Sequence, residues 1–329
     1  VAKTAARNGK NHFLLFNQQA SFMTIVTIDP AAARENFLTA PFTLKHGLTD
    51  HPLFKLERLI ELAKSRPQDR IEYNCGKLQP GHSADEIPGI AMPPADVIRR
   101  IQEADAWMVI KNVEDDAEYL AILRQFVDAA QAAAGKTAKD YTDLQGFIFI
   151  SSANSTTPFH VDMEENILIQ IRGDKFLHVF DNEDRSLVSE AALEISPAKH
   201  RNQKYHDSYE ERAQVFFMQP GDALHLPYTW PHWVKVADQY SISMAMTWKT
   251  PAVKRLNKIR LMNGTLRRLG FPQAAPGQSA PADALKVVMH DSIRLILDPL
   301  RKSAGMRRVL RGLIYGKEAN YYYREQNKA

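Results

Sequence analysis

The chain has 329 residues, 44% of them hydrophobic and 24% charged, and a single cysteine, Cys75. No run approaches the roughly 20 consecutive apolar residues of a membrane span, and one cysteine allows no intramolecular disulfide. That excludes a spanning segment and a disulfide scaffold, and it points to a reducing, cytoplasmic setting. The net charge of +4 hides an asymmetry: residues 1–250 carry 26 Lys/Arg against 33 Asp/Glu, and residues 251–329 carry 16 against 5. A basic tail of this kind suits nucleic acid, an anionic membrane surface, an acidic partner or a solvated helical face.

Residues 1–22 are polar and slightly basic, without the apolar stretch and small-residue cleavage site of a secretory signal. Met23, opening "MTIVTIDPAAARENF", is a candidate natural start, so residues 1–22 read as an extension. Within 31–66, "PFTLKHGL" is strand-like. "HPLFKLERLIELAKSRP" carries Leu53, Leu56, Leu59, Ile60 and Ala63 at helical spacing and stops at Pro67. Gln79 to Pro94 is rich in proline and reads as an ordered loop, after which "PPADVIRRIQEA" restarts a helix. "AWMVIKNV" reads as a strand, and "DAEYLAILRQFVDAAQAAAG" as a helix ending at Gly135.

From residue 146 the pattern changes. "GFIFISS", "ENILIQI", "KFLHVF", "QVFFMQ", "DALHLP", "HWVKVA" and "SISMAMTW" are short β-rich runs separated by "RGD", "PGD" and "ADQ". Their density predicts an antiparallel sandwich or small barrel rather than βαβ units. Beyond Pro251 the spacing is helical again, with "FPQAAPGQSAPAD" as a linker. In "SAGMRRVLRGLIYG", Met306, Val309, Leu310, Leu313 and Ile314 lie opposite Arg307, Arg308 and Arg311.

Residues two apart on a strand share a face, so "TTPFHVD" is expected to project His160 and Asp162 together from a buried strand. An inward carboxylate is costly unless it is paired or metal-bound. "PGDALHLPYTWPHWV" offers His225 or His232 as a third ligand, completing the two-histidine, one-carboxylate set of non-haem Fe(II) oxygenases. Lys175, after the "RGD" turn, is placed to bring a cation into the barrel, where it would call for an anion.

"TPFHVD", "NILIQIRGDK" and "QPGDALHLPYTWPHWV" resemble the JmjC and cupin-like Fe(II)/2-oxoglutarate dioxygenases, especially the branch of the asparaginyl hydroxylase acting on hypoxia-inducible factor. The resemblance covers residues 146–249 and extends back to about residue 35. It implies a mainly β fold with flanking helices: a double-stranded β-helix (jelly-roll, cupin-like) core, N-terminal α/β elements and C-terminal helices. It implies His160, Asp162 and His232 as ligands of Fe(II), His232 standing five residues after Pro227, and His225 as an indirect or substrate-side group. It implies Lys175 as partner of the distal carboxylate of 2-oxoglutarate, Thr157 as a further hydrogen bond to it, and Asn166 as a polar neighbour of the co-substrate. The asparagine of that branch's last core strand is replaced, with Met246 or Thr247 at the nearest positions.

The implied activity is hydroxylation of a C–H bond in a small molecule or protein side chain, using O2 and releasing succinate and CO2. An N-methyl demethylase and a non-catalytic cupin-like binding protein are the alternatives. The expected organisation is an extension (1–22), a JmjC/cupin-like domain (23–250, core 146–249) and a basic helical region (251–329) serving homodimerisation. Nucleic acid is disfavoured because no zinc-finger, homeodomain or aromatic-basic pattern accompanies the arginines; a membrane surface is the weaker option. The insert Asp181–Ala213 is a candidate lid or substrate wall, with Tyr205, His206 and Tyr209 as candidate lining residues, and Trp230 and Trp233 are expected in the core.

Overall fold

β-Branched and aromatic runs bounded by turn residues make the strands, and apolar stripes at helical spacing make the helices. The structure, a computed structural model, describes residues 25–83, 87–136, 140–196 and 202–297, together with 305, 306 and 309. The N-terminal part supplies β1 (Val26–Thr27), α1 (Pro30–Asn36), β2 (Phe42–His46), α2 (Leu56–Ser65), β3 (Ile71–Cys75), α3 (Pro94–Arg99), β4 (Ala106–Lys111) and α4 (Ala117–Ala133). Next come β5 (Thr142–Ser151), β6 (Thr156–His160), β7 (Glu165–Arg172), β8 (Lys175–Val179), α5 (Glu190–Ile195), β9 (Gln214–Met218), β10 (Asp222–Leu226), β11 (His232–Val236) and β12 (Ser241–Lys249). Two helices follow, α6 (Pro251–Arg268) and α7 (Ala280–Leu297). Side-chain oxygens of Asp29, Asp116, Ser189 and Thr250 cap α1, α4, α5 and α6, each accepting a backbone N–H left open by the first turn.

The strands form two antiparallel sheets, one in the order β1-β2-β10-β7-β12-β5-β4-β3 and one in the order β6-β11-β8-β9. From β5 to β12 the chain passes back and forth between the two sheets, as a jelly roll does, so the mainly β fold with flanking helices is the one expected. Strand alternation separates two cores. Ile148, Ile150, Ile167, Ile169, Met244 and Met246 turn one face of the larger sheet toward Leu59, Phe126 and their helical neighbours. On its other face Leu168, Leu224, Leu226 and Ala245 meet Leu177, Val179 and Val234 of the smaller sheet. Each fully buried aliphatic side chain contributes about 1.5–3 kcal/mol, so both contacts are firm walls for whatever lies between the sheets.

The β7–β8 turn shows why this sequence contains "RGD". Gly173 has φ +68°, and a Cβ there would sit 2.4 Å from the Tyr240 carbonyl oxygen. The Gln170 amide donates to the Gly173 carbonyl (2.6 Å) and to the Ser241 hydroxyl (2.9 Å), bracing the turn so that Lys175 opens β8.

Two expectations need amendment. β1 and β3 were not anticipated; β3 pairs with β4 to extend the larger sheet sideways beyond the jelly roll. The linker after α6 is shorter than read, because Ala280–Asp283 already belong to α7, where proline fits the first turn. Residues 1–22, and all of 303–316 except 305, 306 and 309, lie outside the described residues, so the extension and the arginine-flanked stripe are not described. No described helix is long and apolar enough to cross a membrane.

Candidate active site

β6 ends at His160, and Asp162 stands in the following loop rather than on the strand. The expectation of two groups on one face of a continuous strand is therefore corrected. Asp162 is held instead by its surroundings: its carbonyl accepts the Thr229 N–H at 2.9 Å, and its Oδ2 accepts from the Asn166 amide at 3.1 Å. His232 opens β11 directly opposite His160 in the β6–β11 register, with ring centroids 4.2 Å apart.

The tautomers follow from the partners. His160 Nδ1 lies 2.7 Å from the Pro158 carbonyl and His232 Nδ1 lies 3.0 Å from that of Trp230. A carbonyl only accepts, so each Nδ1 carries the proton and each Nε2 presents a lone pair. The two Nε2 atoms sit 3.9 and 4.0 Å from the two oxygens of Asp162. One ligand atom from each of the three residues falls within 4.8 Å of the others, the only such group of three among the described residues. Two neutral imidazoles and a carboxylate, oriented by hydrogen bonds on their far sides, fit a divalent transition metal.

The three groups border a cavity of about 350 Å³ between the sheets, lined also by Thr157, Asn166, Lys175, Thr247, Trp107 and Phe149. Lys175 is only 5% exposed; its ammonium donates to the Ser243 hydroxyl at 2.7 Å and lies 5.9 Å from the Phe149 ring. Among the described residues no carboxylate forms an ion pair with it, and desolvation pulls its pKa down to about 7. Asn166 Oδ1 and Thr247 Oγ1, paired in register across β7 and β12, are buried and have no hydrogen-bond partner among the described residues. A buried cation without an anion, beside two open polar atoms, is a cradle for an anionic, oxygen-rich ligand.

The sequence profile of a protein family described as a cupin-like domain matches residues 68–253. The chain belongs to the cupin-like domain family. The match runs from just before β3 through β12 to the start of α6. None of the curated protein sequences compared with the chain matches it. Among solved structures the chain is similar to Escherichia coli YcfD, with 15% identity and a TM-score of 0.49, over 88% of this chain and 72% of the other. It is also similar to YcfD, a ribosomal oxygenase from Escherichia coli, in complex with cobalt and 2-oxoglutarate (16% identity, TM-score 0.45, 82% and 67% covered). A third similar structure is that protein with cobalt and succinic acid (15%, 0.44, 87% and 70%).

Within this cupin-like domain several sequence expectations change place. His225 does not line the cavity: on β10 it points the opposite way from Leu224 and Leu226, among Phe37, Phe42 and Trp248. It is wholly buried there, and desolvation pushes its pKa down to about 3, so it is a neutral packing group. Tyr205, His206 and Tyr209 do not line the cavity either. Tyr205 and Tyr209 pack on Phe159, and the insert reaches the cavity through Asn202. Trp233 stacks on His178 and Trp230 packs in the core between the sheets, as expected.

Between Met246 and Thr247 the register decides, since Met246 faces the helices and Thr247 the cavity. Ser243 escaped the sequence reading, although "SISMAMTW" alternates Ser, Ser, Ala and Thr with large apolar residues, and that phase marks the cavity face. Trp107 escaped it too, and Glu72, Asn74 and Lys111 likewise line the cavity from β3 and β4.

Proposed function

We propose that the chain is an Fe(II)- and 2-oxoglutarate-dependent oxygenase that hydroxylates a C–H bond of a small molecule or a protein side chain. The observation that carries this reading is the placement of a buried, anion-seeking lysine in the same cavity as two imidazoles and a carboxylate. His160 Nε2, His232 Nε2 and Asp162 would hold the metal on one side and leave the cavity side open. Lys175 and Thr157 would take the distal carboxylate of the co-substrate, with Asn166 and Thr247 beside its reactive end. Iron with 2-oxoglutarate and O2 supplies the oxidation of an unreactive C–H bond, coupled to conversion of the co-substrate into succinate and CO2.

The chain's own part is positioning and exclusion of water. The Pro158 and Trp230 carbonyls fix the imidazole rings, and the Asn166 amide restrains Asp162. Lys175 is pre-placed by the braced turn and by Ser243, so little order has to be created on binding. Phe147, Phe149, Leu168, Leu226 and Val234 keep the space between metal and lysine apolar. The same reading includes a homodimer formed through the C-terminal helices, supported by Leu285, Val288, Leu295 and Ile296 exposed on α7, and a cytoplasmic setting, supported by the lone Cys75.

Anaerobic addition of Fe(II) and then 2-oxoglutarate tests the central claim. A weak visible charge-transfer band is expected with the native protein and absent in His160→Ala. A native protein that gives no band and converts no 2-oxoglutarate with any candidate substrate would sink the oxygenase reading.

A further inference from the structure

The Trp107 indole N–H donates to the Thr157 hydroxyl oxygen at 2.9 Å. An indole can only donate, so the direction of this hydrogen bond is fixed by chemistry, unlike most bonds to a hydroxyl. It occupies a lone pair of Thr157 and leaves that residue's own proton to be given away. No acceptor for that proton exists among the described residues, and Thr157 borders the cavity. Trp107 also ties this hydroxyl to the lysine end of the space. Its ring packs on Phe149 with centroids 5.8 Å apart, and the same Phe149 ring lies 5.9 Å from the Lys175 ammonium.

We infer that Trp107 is a positioning residue that fixes the Thr157 hydroxyl as a donor to the distal carboxylate of the co-substrate. The inference rests on the oxygenase reading above. Without the indole, the hydroxyl still donates to a carboxylate, but its rotor is free in the empty cavity and has to be ordered, unpolarised, when the anion arrives. With the indole, the relay N–H to O–H to carboxylate runs one way, and each bond polarises the next. Trp107 comes from β4, in the sideways extension of the sheet, so this extension acts on the co-substrate and not only as a wall.

Calorimetric titration of the full chain with Mn(II) in place of iron tests this, using 2-oxoglutarate and 2-oxopentanoate, which has a methyl where the distal carboxylate stands. A hydrogen bond to a charged group is worth about 1.5–3 kcal/mol, so Thr157→Val should weaken 2-oxoglutarate at least about tenfold. Trp107→Phe keeps an aromatic ring and loses the N–H; it should weaken 2-oxoglutarate about three- to tenfold and leave 2-oxopentanoate unchanged. The double variant should bind no more weakly than Thr157→Val alone.

Equal loss for both ligands in Trp107→Phe, no loss for either, or a further loss on top of Thr157→Val would each overturn the inference while leaving the oxygenase reading in place. If the native protein binds no 2-oxoglutarate, the co-substrate reading itself fails and takes the inference with it.

Discussion

Lys175 is the residue on which most of the proposed chemistry depends, and its burial gives predictions of opposite sign for the empty and the filled cavity. Its folded pKa of about 7 lies below the unfolded value of 10.5, so between those limits the unfolded chain binds more protons. Stability of the empty protein should therefore rise with pH from about 7 toward 10.5, and Lys175→Met should flatten that slope and raise the melting temperature at pH 7. The same substitution should weaken 2-oxoglutarate by at least about 30-fold, since truncating one partner of a buried charge pair costs 2 kcal/mol or more. Melting curves across pH and anaerobic titrations measure the two effects separately; a variant no more stable than the native protein at pH 7 would show that the lysine is not strained when empty. Binding of the dianion should in turn favour the protonated amine. Its apparent affinity should then fall as pH rises above 7, by up to about tenfold per unit until the pKa of the bound state is reached.

At the level of elements, the β7–β8 turn sets where that lysine stands. Gly173→Ala places a Cβ against the Tyr240 carbonyl at a positive φ and should cost about 1–3 kcal/mol. It should also raise the KM for 2-oxoglutarate more than it lowers kcat, because the turn displaces the carboxylate's partner and not the metal; steady-state kinetics would expose the reverse pattern. The turn was legible in "RGD" between two β-rich runs, and so were β5 and β7 to β12, whose apolar runs and turn residues speak clearly. Other elements were silent for physical reasons. Ile71–Cys75 alternates Ile, Glu, Tyr, Asn and Cys, but over only five residues, most of them half-exposed, and the wall carrying Glu72 and Asn74 was missed for that reason. Asp162 was assigned to the right place by spacing but to the wrong element, because what holds it are contacts with Thr229 and Asn166. The pairing of Trp107 with Thr157 joins residues 50 positions apart and leaves no local trace.

At the scale of the molecule, the positive charge of the tail is partly spent inside it. Lys254 meets Asp143, Lys258 meets Asp291, and Arg267 clasps the buried Glu194 through two bonds of 2.7 and 2.9 Å. The proposed dimer would cover the exposed apolar residues of α7. Leu285→Glu combined with Val288→Glu should convert a dimer to a monomer in sedimentation while leaving 2-oxoglutarate binding unaltered. A native protein that sediments as a monomer at micromolar concentration would remove the dimer from the proposal. The larger sheet has a further consequence. β2 covers β10 along four register pairs, from Asp222 with Lys45 to His225 with Phe42, although β2 lies outside the stretch that identifies the family. A fragment cut at residues 68–253 would leave β10 as a raw, apolar edge ready to pair with other chains. The boundaries by which this domain is recognised are thus not boundaries at which it can be cut, and a soluble fragment has to begin before β2.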